Sequence, residues 1–446
     1  MSAEQRTMQT LITNARLVDP RSGRDERGVL ALADGRIVAA GRSAPHDFTA
    51  ERTIDAAGAV VAPGLVDLCA RLGEPGHEHE GMLESELAAA VAGGVTSVVC
   101  PPDTDPVLDE PGLVEMLKFR ARSLDLARVF PLGALTRGLG GEAITEMAEL
   151  TEAGCIGFGQ ADVAIRDTLV LHRALQYAAT FGFTVWLRPN DAWLGQGVAA
   201  KGPLATRMGL SGVPVLAETI AMETLFELVR DTGARVHLSR LSSAAGVELV
   251  RRAKAEGLPV GCDVSIHQLH LIDVDMGYFD AATRLVPPLR QQRDRDAIRA
   301  GLADGTIDAL VSDHTPVTED AKHRPFAEAE PGATGLELLL GLALKWGESM
   351  RLDLASTLAA VTSRPGAVLV RSSLGDASAP SGLAIGAPAD LCVFDADCSW
   401  AVDTNRLSSC SRHTPFAGHE LRGRIRWTLV AGRVAHEDRS VDAAGD

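Results

Sequence analysis

The chain has 446 residues, of which 46% are hydrophobic, 23% charged and 4% aromatic, so it can bury a large aliphatic core and is not a disordered protein. Its 43 Lys and Arg residues against 59 Asp and Glu residues give a net charge of −16, which argues against a nucleic-acid partner or an anionic membrane surface. The seven cysteines form no C-x-x-C pair, the first residues carry an early acid and no apolar h-region, and no apolar run is long enough to cross a membrane, so we expect neither secretion nor membrane spanning. We therefore expect a cytoplasmic protein without a disulfide framework.

Short strands joined by tight turns are predicted at both ends of the chain. Segments 10–18, 28–33 and 36–40 have the strand pattern, with a turn at Asp34 and Gly35. Segments 390–395, 424–430 and 433–434 repeat it, with a turn at Ala431 and Gly432. We expect both ends to build one β-domain, from residues 1–60 and 376–446.

Between the two ends, short apolar runs rich in β-branched residues alternate with amphipathic stretches, which is the pattern of a parallel α/β fold. The runs lie at 65–69, 95–100, 127–134, 156–159, 183–187, 235–238, 259–264 and 308–311. Helices are predicted between them, among others at 82–92, 113–121, 168–179, 217–229 and 244–255. Eight strands that alternate with helices predict a TIM (β/α)8 barrel over residues 61–375, with its functional site at the carboxyl ends of the strands.

Several short motifs along the chain together resemble the dihydroorotases of the amidohydrolase superfamily. They are APGLVD at 62–67, EPG at 74–76, AGGVT at 92–96, PDT at 102–104, PPLR at 287–290, DGTID at 304–308, SDH at 312–314 and TPFAG at 414–418. The resemblance spans residues 11–434. It implies an amidohydrolase-type barrel flanked by a small β-sandwich domain that both termini build.

The resemblance also implies which positions would bind metal in an active member. Such a member holds one or two zinc ions with an H-x-H pair after the first strand, a bridging acid or carboxylated lysine after the fourth, histidines after the fifth and sixth, and an aspartate after the eighth. In this chain these positions read Cys69 and Arg71, then Gln160 or Ala161, then Arg188, Arg240 and the retained Asp313. The substrate-binding positions are replaced as well, by Gly73, Asp103, Val286 and Val317.

These replacements predict that zinc is not bound. A catalytic zinc needs about three protein ligands from neutral His, thiolate or carboxylate, and Cys69 with Asp313 supplies two at best. Arginine offers no lone pair, and its fixed charge repels a divalent cation. Without a metal, no water is activated, so Asp313 would be at most a residual general base. We expect Arg188 or Arg240 to pair with Asp313 and to take over the space and charge of the lost metal ions.

Other residues suggest alternatives to which we give less weight. His77 and His79 form an H-x-H pair, but it lies in the loop beyond the first strand, where a solvated loop is the simpler interpretation. His267 and His270 follow the seventh strand, and His314 follows Asp313; a packed role is expected for the first two. Cys69 between arginines could be a nucleophile, but no partner base is evident and a small apolar strand-end residue is the simpler interpretation.

The sequence therefore predicts a non-catalytic, dihydroorotase-like protein. Degenerate members of the family act as structural partners of aspartate carbamoyltransferase in pyrimidine biosynthesis, so the resemblance implies that partner and a homodimer within a hetero-oligomer. Two alternatives remain. The first is a divergent metal-dependent cyclic amide hydrolase that uses Cys69, His77, His79 and Asp313, and the second is a regulatory module whose arginine-lined mouth binds a small anion.

Overall fold

The computed structural model describes residues 9–372 and 382–438. Its elements are numbered in chain order. The strands are β1 (Thr10–Asp19), β2 (Arg24–Ala33), β3 (Arg36–Gly41), β4 (Arg52–Asp55), β5 (Val60–Pro63), β6 (Leu65–Asp67), β7 (Val95–Cys100), β8 (Arg128–Pro131), β9 (Gly133–Ala134), β10 (Phe158–Gly159), β11 (Thr184–Leu187), β12 (Ala199–Ala200), β13 (Gly212–Val213), β14 (Arg235–Leu238), β15 (Val260–Ser265), β16 (Ala309–Val311), β17 (Leu391–Ala401), β18 (Glu420–Val430) and β19 (Arg433–Glu437).

The helices follow the same numbering and mostly lie between consecutive barrel strands. They are α1 (Leu83–Ala92), α2 (Pro111–Ser123), α3 (Met147–Ala153), α4 (Thr168–Phe181), α5 (Pro203–Met208), α6 (Leu216–Thr232), α7 (Ala244–Glu256), α8 (Ile266–His270), α9 (Gln292–Ala303), α10 (Glu319–Lys322), α11 (Leu339–Met350), α12 (Leu354–Ala359) and α13 (Ser363–Ser372). Local sequence fixes their ends. The Ser243 hydroxyl caps α7 by accepting from the Gly246 N–H, and Gly257 ends that helix with φ +87°.

The middle of the chain is a closed parallel barrel, which confirms the predicted TIM fold. The ladder runs β6, β7, β8 with its continuation β9, β10, β11, β14, β15 and β16, and every pair in it is parallel. A parallel bridge between Ala70 and His314 lies beside the β16–β6 seam. The Asp67 carboxylate reinforces that seam by accepting from the Ser312 N–H at 3.1 Å and from the Ser312 hydroxyl.

Alternate side chains of the barrel strands belong to two apolar cores. Leu65, Val98 and Val185 join the large core shared with the helices. Val66, Val99 and neighbours from β8, β11 and β16 form a separate cluster. Because β6, β8, β11 and β16 are separated from one another by other strands of the ladder, their side chains can meet only inside the barrel, which therefore has a packed interior with its site at the rim.

Both ends of the chain form one sheet, as the sequence pattern predicts. Its order is β19-β18-β17-β5-β1-β2-β3, with β4 paired to β1. This sheet includes β5 (Val60–Pro63), so the barrel begins at Leu65 rather than at residue 61. The second predicted boundary, at residues 375 and 376, lies outside the described residues. No helix in the described part of the chain is long and apolar enough to span a membrane.

Candidate functional site

Three arginines at the carboxyl ends of three barrel strands converge on one carboxylate. Arg71 follows β6, Arg188 follows β11 and Arg240 follows β14, while Asp162 follows β10. Arg188 Nε and Arg240 Nη2 both donate to Asp162 Oδ1, and Arg71 Nη2 donates to Asp162 Oδ2 at 2.8 Å. Parallel strands end at the same rim, so residues far apart in sequence meet there.

Two further aspartates balance the remaining charge. Asp103 accepts from Arg71 Nε at 2.9 Å, and Asp313 accepts from Arg240 Nη1 at 2.9 Å. These six residues, Arg71, Arg188, Arg240, Asp103, Asp162 and Asp313, are called the arginine–aspartate cluster below. With all six ionised its charges cancel, which is the condition under which several charged groups are tolerated away from water.

The pKa shifts follow from burial and from these pairs. Burial acts to raise the pKa of Asp162, but attraction to Arg240, Arg188 and Arg71 outweighs it and holds the pKa well below its ordinary value. For Asp313 burial dominates and raises the pKa to about 6, against the opposing effects of Arg240 and Arg71. Burial opposes the charge on Arg240 as well, yet Asp162 and Asp313 raise its pKa well above the ordinary value. Asp162 is therefore ionised throughout the physiological range, whereas Asp313 takes up a proton below about pH 6.

The backbone at the rim is held in sparsely populated conformations. Ala161, Arg240 and Asp313 have φ values of +47°, +57° and +51°, in the left-handed region that non-glycine residues rarely adopt. The Arg240 N–H donates to Asp263 Oδ1 at 2.7 Å, which fixes one of these turns. Such strain persists only where surrounding contacts hold it, and here it aims Arg240 and Asp313 at each other.

The donor chemistry of the cluster does not fit a divalent metal ion. Guanidinium groups have no lone pair to donate and repel a cation, and here three of them lie at the strand ends. Asp162 and Asp313 are possible ligands, but each is already bonded to arginine. Among the described residues, no three His, Cys, Asp or Glu side chains are grouped so that they could hold a metal ion.

The surroundings of Cys69, Gly73 and Gln160 fit structural roles and not roles in catalysis or binding. Cys69 is buried, and burial raises the pKa of its thiol well above the ordinary value, which does not suit a nucleophile. Gly73 has φ +74°, and an added Cβ would lie 1.8 Å from the Gly81 carbonyl oxygen, so an arginine cannot occupy this backbone. Gln160 turns away from the cluster: it accepts from the Thr136 hydroxyl at 3.0 Å and donates to the Leu139 carbonyl at 2.8 Å.

Among the described residues, no histidine side chain is bonded to the cluster, although the His314 carbonyl accepts from the Arg71 N–H at 2.8 Å and His77 lines the cleft above it. His267 is fully buried, stacks on Phe416 and has its pKa lowered to about 3 by burial, with Lys322 and Arg240 adding to the effect. His314 Nδ1 accepts from the Gly335 N–H, so its Nε2 carries the hydrogen that bonds to Glu86 at 2.8 Å. His77 and His79 lie in the loop after β6, each 3.8 Å from Glu80.

Two residues of the site were not among the site residues predicted from the sequence. Asp162 is the centre of the cluster, and the Thr315 hydroxyl accepts from Arg71 Nη1 at 3.0 Å. Asp162 lies two residues beyond Gln160 at the end of the same strand, so its position at a strand end was the available signal. The arginine expected to pair with Asp313 was Arg188 or Arg240; Arg240 does so, while Arg188 bonds to Asp162 instead.

A cleft of about 360 Å³ opens above the cluster. Its floor includes Arg71, Asp103, Asp162, Arg240 and Asp313. Apolar residues of the β15–β16 connection and the segment after β16 form one wall, and they are Leu285, Val286, Pro316 and Val317. Because the guanidinium nitrogens facing this cleft are largely bonded to carboxylates, few donors remain for a further anion.

Comparisons with known proteins agree with this fold. A family model described as Dihydro-orotase-like matches residues 58–245. A Dihydroorotase-like protein of Pseudomonas aeruginosa is 44% identical over 96% of this chain and 100% of its own length. A Dihydroorotase of Geobacter sp. (strain M21) is 37% identical over 96% of this chain and 100% of its own length. The solved L-hydantoinase (dihydropyrimidinase) of Arthrobacter aurescens superposes with a TM-score of 0.84 at 25% identity, covering 96% of both chains.

Proposed function

The chain belongs to the dihydroorotase-like family, as its motifs indicated, and we propose that it is a non-catalytic member of that family. One observation carries the proposal: Arg71, Arg188 and Arg240 are bonded to Asp162 at the strand ends where an active member would hold its metal. Hydrolysis of a cyclic amide requires an activated water and a polarised carbonyl. The cluster supplies neither, because its carboxylates are already bonded to guanidinium groups.

The substrate side of the mouth supports the same proposal. Gly73 stands at the position of a substrate-binding arginine, and its backbone leaves no room for a side chain. Asp103, which stands in place of an asparagine, is bonded to Arg71. Asp313 keeps its family identity, but its Oδ1 accepts from Arg240. A general base needs free access to the proton that it removes.

The test is hydrolysis of dihydroorotate by protein purified with added zinc, together with the zinc content per chain. We expect no turnover above that of zinc alone and less than one equivalent of metal. An Asp313→Asn variant is the matched control, because any true activity by the family chemistry would need this carboxylate. Turnover that depends on zinc and is lost in Asp313→Asn would overturn the proposal and favour the cyclic amide hydrolase.

The proposed role is structural, as a cytoplasmic partner of aspartate carbamoyltransferase in pyrimidine biosynthesis. Its support is the family resemblance and the 44% identity to a relative named Dihydroorotase-like protein. We expect the two purified chains to co-elute in size-exclusion chromatography with light scattering. Transferase activity, measured alone and with this chain added, gives the functional readout. Separate elution with unchanged transferase activity would overturn this part while leaving the loss of catalysis standing.

The small-anion module receives less support from the geometry. Arg71 uses Nε, Nη1 and Nη2 in bonds to Asp103, Thr315 and Asp162, and Arg240 uses both terminal nitrogens. An entering carboxylate would have to displace an aspartate from these pairs, which costs more than binding to a free guanidinium.

A further inference from the structure

The cleft above the arginine–aspartate cluster carries its net charge on two loops. The cluster itself is neutral when all six of its members are ionised. The remaining carboxylates that line the cleft are those of Glu80, in the loop after β6, and Glu330, in the segment after β16. These two residues are called the rim carboxylates below. They give the cleft a negative charge, so its field attracts cations and repels anions.

Neither rim carboxylate has a close cationic partner. In the part of the chain that the structure describes, no Lys or Arg forms an ion pair with Glu80 or Glu330, and the contacts from Glu80 to His77 and His79 are both 3.8 Å long. Burial raises the pKa of Glu80, and the nearby Glu330 adds to the rise, against smaller effects of His77, His79 and Arg71. Two carboxylates held near each other repel, and a cation between them removes that repulsion.

The floor of the cleft offers a further acceptor. The Asp313 side chain lines the cleft and is 6% exposed. Its Oδ1 accepts from Arg240 at 2.9 Å, whereas no group among the described residues donates to its Oδ2. Each oxygen of an ionised carboxylate has two lone pairs, and a buried one is normally satisfied by donors. A donor that enters the cleft can therefore bond to Asp313 without displacing Arg240.

We propose that the cleft binds a small aliphatic diamine, with one ammonium group between the rim carboxylates and the other at Asp313. An ammonium group has three N–H donors and no acceptor, which matches carboxylates that lack donors. The methylene chain packs on the apolar wall of the cleft, as the stems of lysine side chains do on apolar surfaces. A cleft of about 360 Å³ lies in the size range of small-molecule sites.

The proposal rests on the proposed absence of a catalytic metal, because a zinc ion in the mouth would repel a cationic ligand. It is tested by isothermal titration calorimetry of the full chain, without added zinc, with putrescine, a four-carbon diamine. Salt of about 0.15 M screens exposed charges beyond about 8 Å and so suppresses unspecific binding. We expect saturable binding at one site per chain. Succinate, a dianion of the same chain length, should not bind, and butylamine, with one ammonium group, should bind at least roughly tenfold more weakly.

A matched pair of variants tests the rim. Glu330→Gln removes the charge of a carboxylate that lines the cleft, so it should weaken putrescine binding at least roughly tenfold. Glu328→Gln makes the same change at an exposed residue of the same segment that does not line the cleft, and it should leave binding unchanged. An unchanged urea midpoint shows that each variant is folded.

Three outcomes would overturn the proposal. They are the absence of saturable putrescine binding, binding of butylamine or succinate as tight as that of putrescine, and equal losses in Glu330→Gln and Glu328→Gln, which would mean that binding follows only the net charge of −16. Hydrolysis of dihydroorotate is measured separately with added zinc. Binding of putrescine without hydrolysis supports both proposals, whereas the absence of both contradicts the diamine site alone and leaves the loss of catalysis standing.

Discussion

Removal of one carboxylate from the arginine–aspartate cluster should destabilise the whole barrel rim. In Asp162→Asn, Arg71 keeps Asp103 and Arg240 keeps Asp313, but Arg188 loses its carboxylate partner and is left with neutral acceptors, the backbone carbonyl of residue 162 at 3.1 Å among them. The cluster then holds three cations and two anions. Breaking a buried ion pair costs about 3–5 kcal/mol, and since the Asp162 side chain is 33% exposed we expect the lower end, about 3 kcal/mol.

The uncompensated charge should reside mainly on Arg188, whose side chain is 10% exposed. Changing Arg188 to Met removes that charge and keeps much of the volume, so Asp162→Asn with Arg188→Met should be more stable than Asp162→Asn alone. Urea unfolding of the wild type, both single variants and the double variant gives the four free energies of a double-mutant cycle. We expect an interaction free energy of about 1–3 kcal/mol between the two positions.

The control is Asp125→Asn, which breaks an exposed pair with Arg433 and should cost at most about 1 kcal/mol. The reasoning is refuted if Asp162→Asn is no less stable than Asp125→Asn. It is also refuted if the two changes in the cluster prove additive, because the arginine would then not depend on that carboxylate.

Other buried groups give three further predictions. Burial raises the pKa of Asp67 to about 6, so as the pH rises from about 4 to about 6 the native state holds a proton that the unfolded chain has released, and the contribution of Asp67 to the free energy of unfolding falls by roughly 2 kcal/mol. Burial also raises the pKa of Asp313 to about 6 and that of Glu337 to about 7, so both proteins lose stability over this range. The fall for Asp67→Asn should be smaller than that of the wild type by roughly 2 kcal/mol, and parallel curves of unfolding free energy against pH would contradict this. Gly73→Ala should lower the free energy of unfolding by about 3 kcal/mol, because the added Cβ would clash with the Gly81 carbonyl. Gly257→Ala, where the added Cβ enters open space, should lower it by about 1 kcal/mol. Equal losses of stability in thermal denaturation would refute this difference. Glu86→Ala should accelerate amide exchange at Cys410, whose N–H donates to Glu86 at 3.1 Å, whereas exposed Glu84→Ala on the same helix should not.

The positions of the strands could be predicted because they follow from the local sequence pattern, and the residues of the rim could be predicted because they follow from the positions of the strands. Segment 95–100 coincides with β7 (Val95–Cys100), which is rich in β-branched residues and buried along its whole length, as is typical of a parallel barrel strand. Segment 235–238 coincides with β14 (Arg235–Leu238). Once the strands are placed, the parallel topology brings their carboxyl ends together, which is why Arg71, Arg188 and Arg240 were expected at one mouth.

The pairing of charges at that mouth could not be predicted in full. Sequence position gives the strand end but not the direction of the side chain, and one left-handed residue changes that direction. Ala161, with φ +47°, separates Gln160, which bonds to Thr136, from Asp162, which centres the cluster. Similarly, α8 (Ile266–His270) begins directly after β15, so His267 packs on Phe416 instead of facing the cleft.

The composite sheet also constrains the order in which the chain can fold during synthesis. β5 lies between β1 and β17, so the N-terminal strands lack their neighbour until the ribosome has released residues up to Ala401. Throughout the synthesis of the barrel, β5 presents an open edge that can pair with other nascent chains. A premature stop upstream of Leu391 would make this exposure permanent, so truncated products of this protein should aggregate even though their barrel sequence is nearly complete.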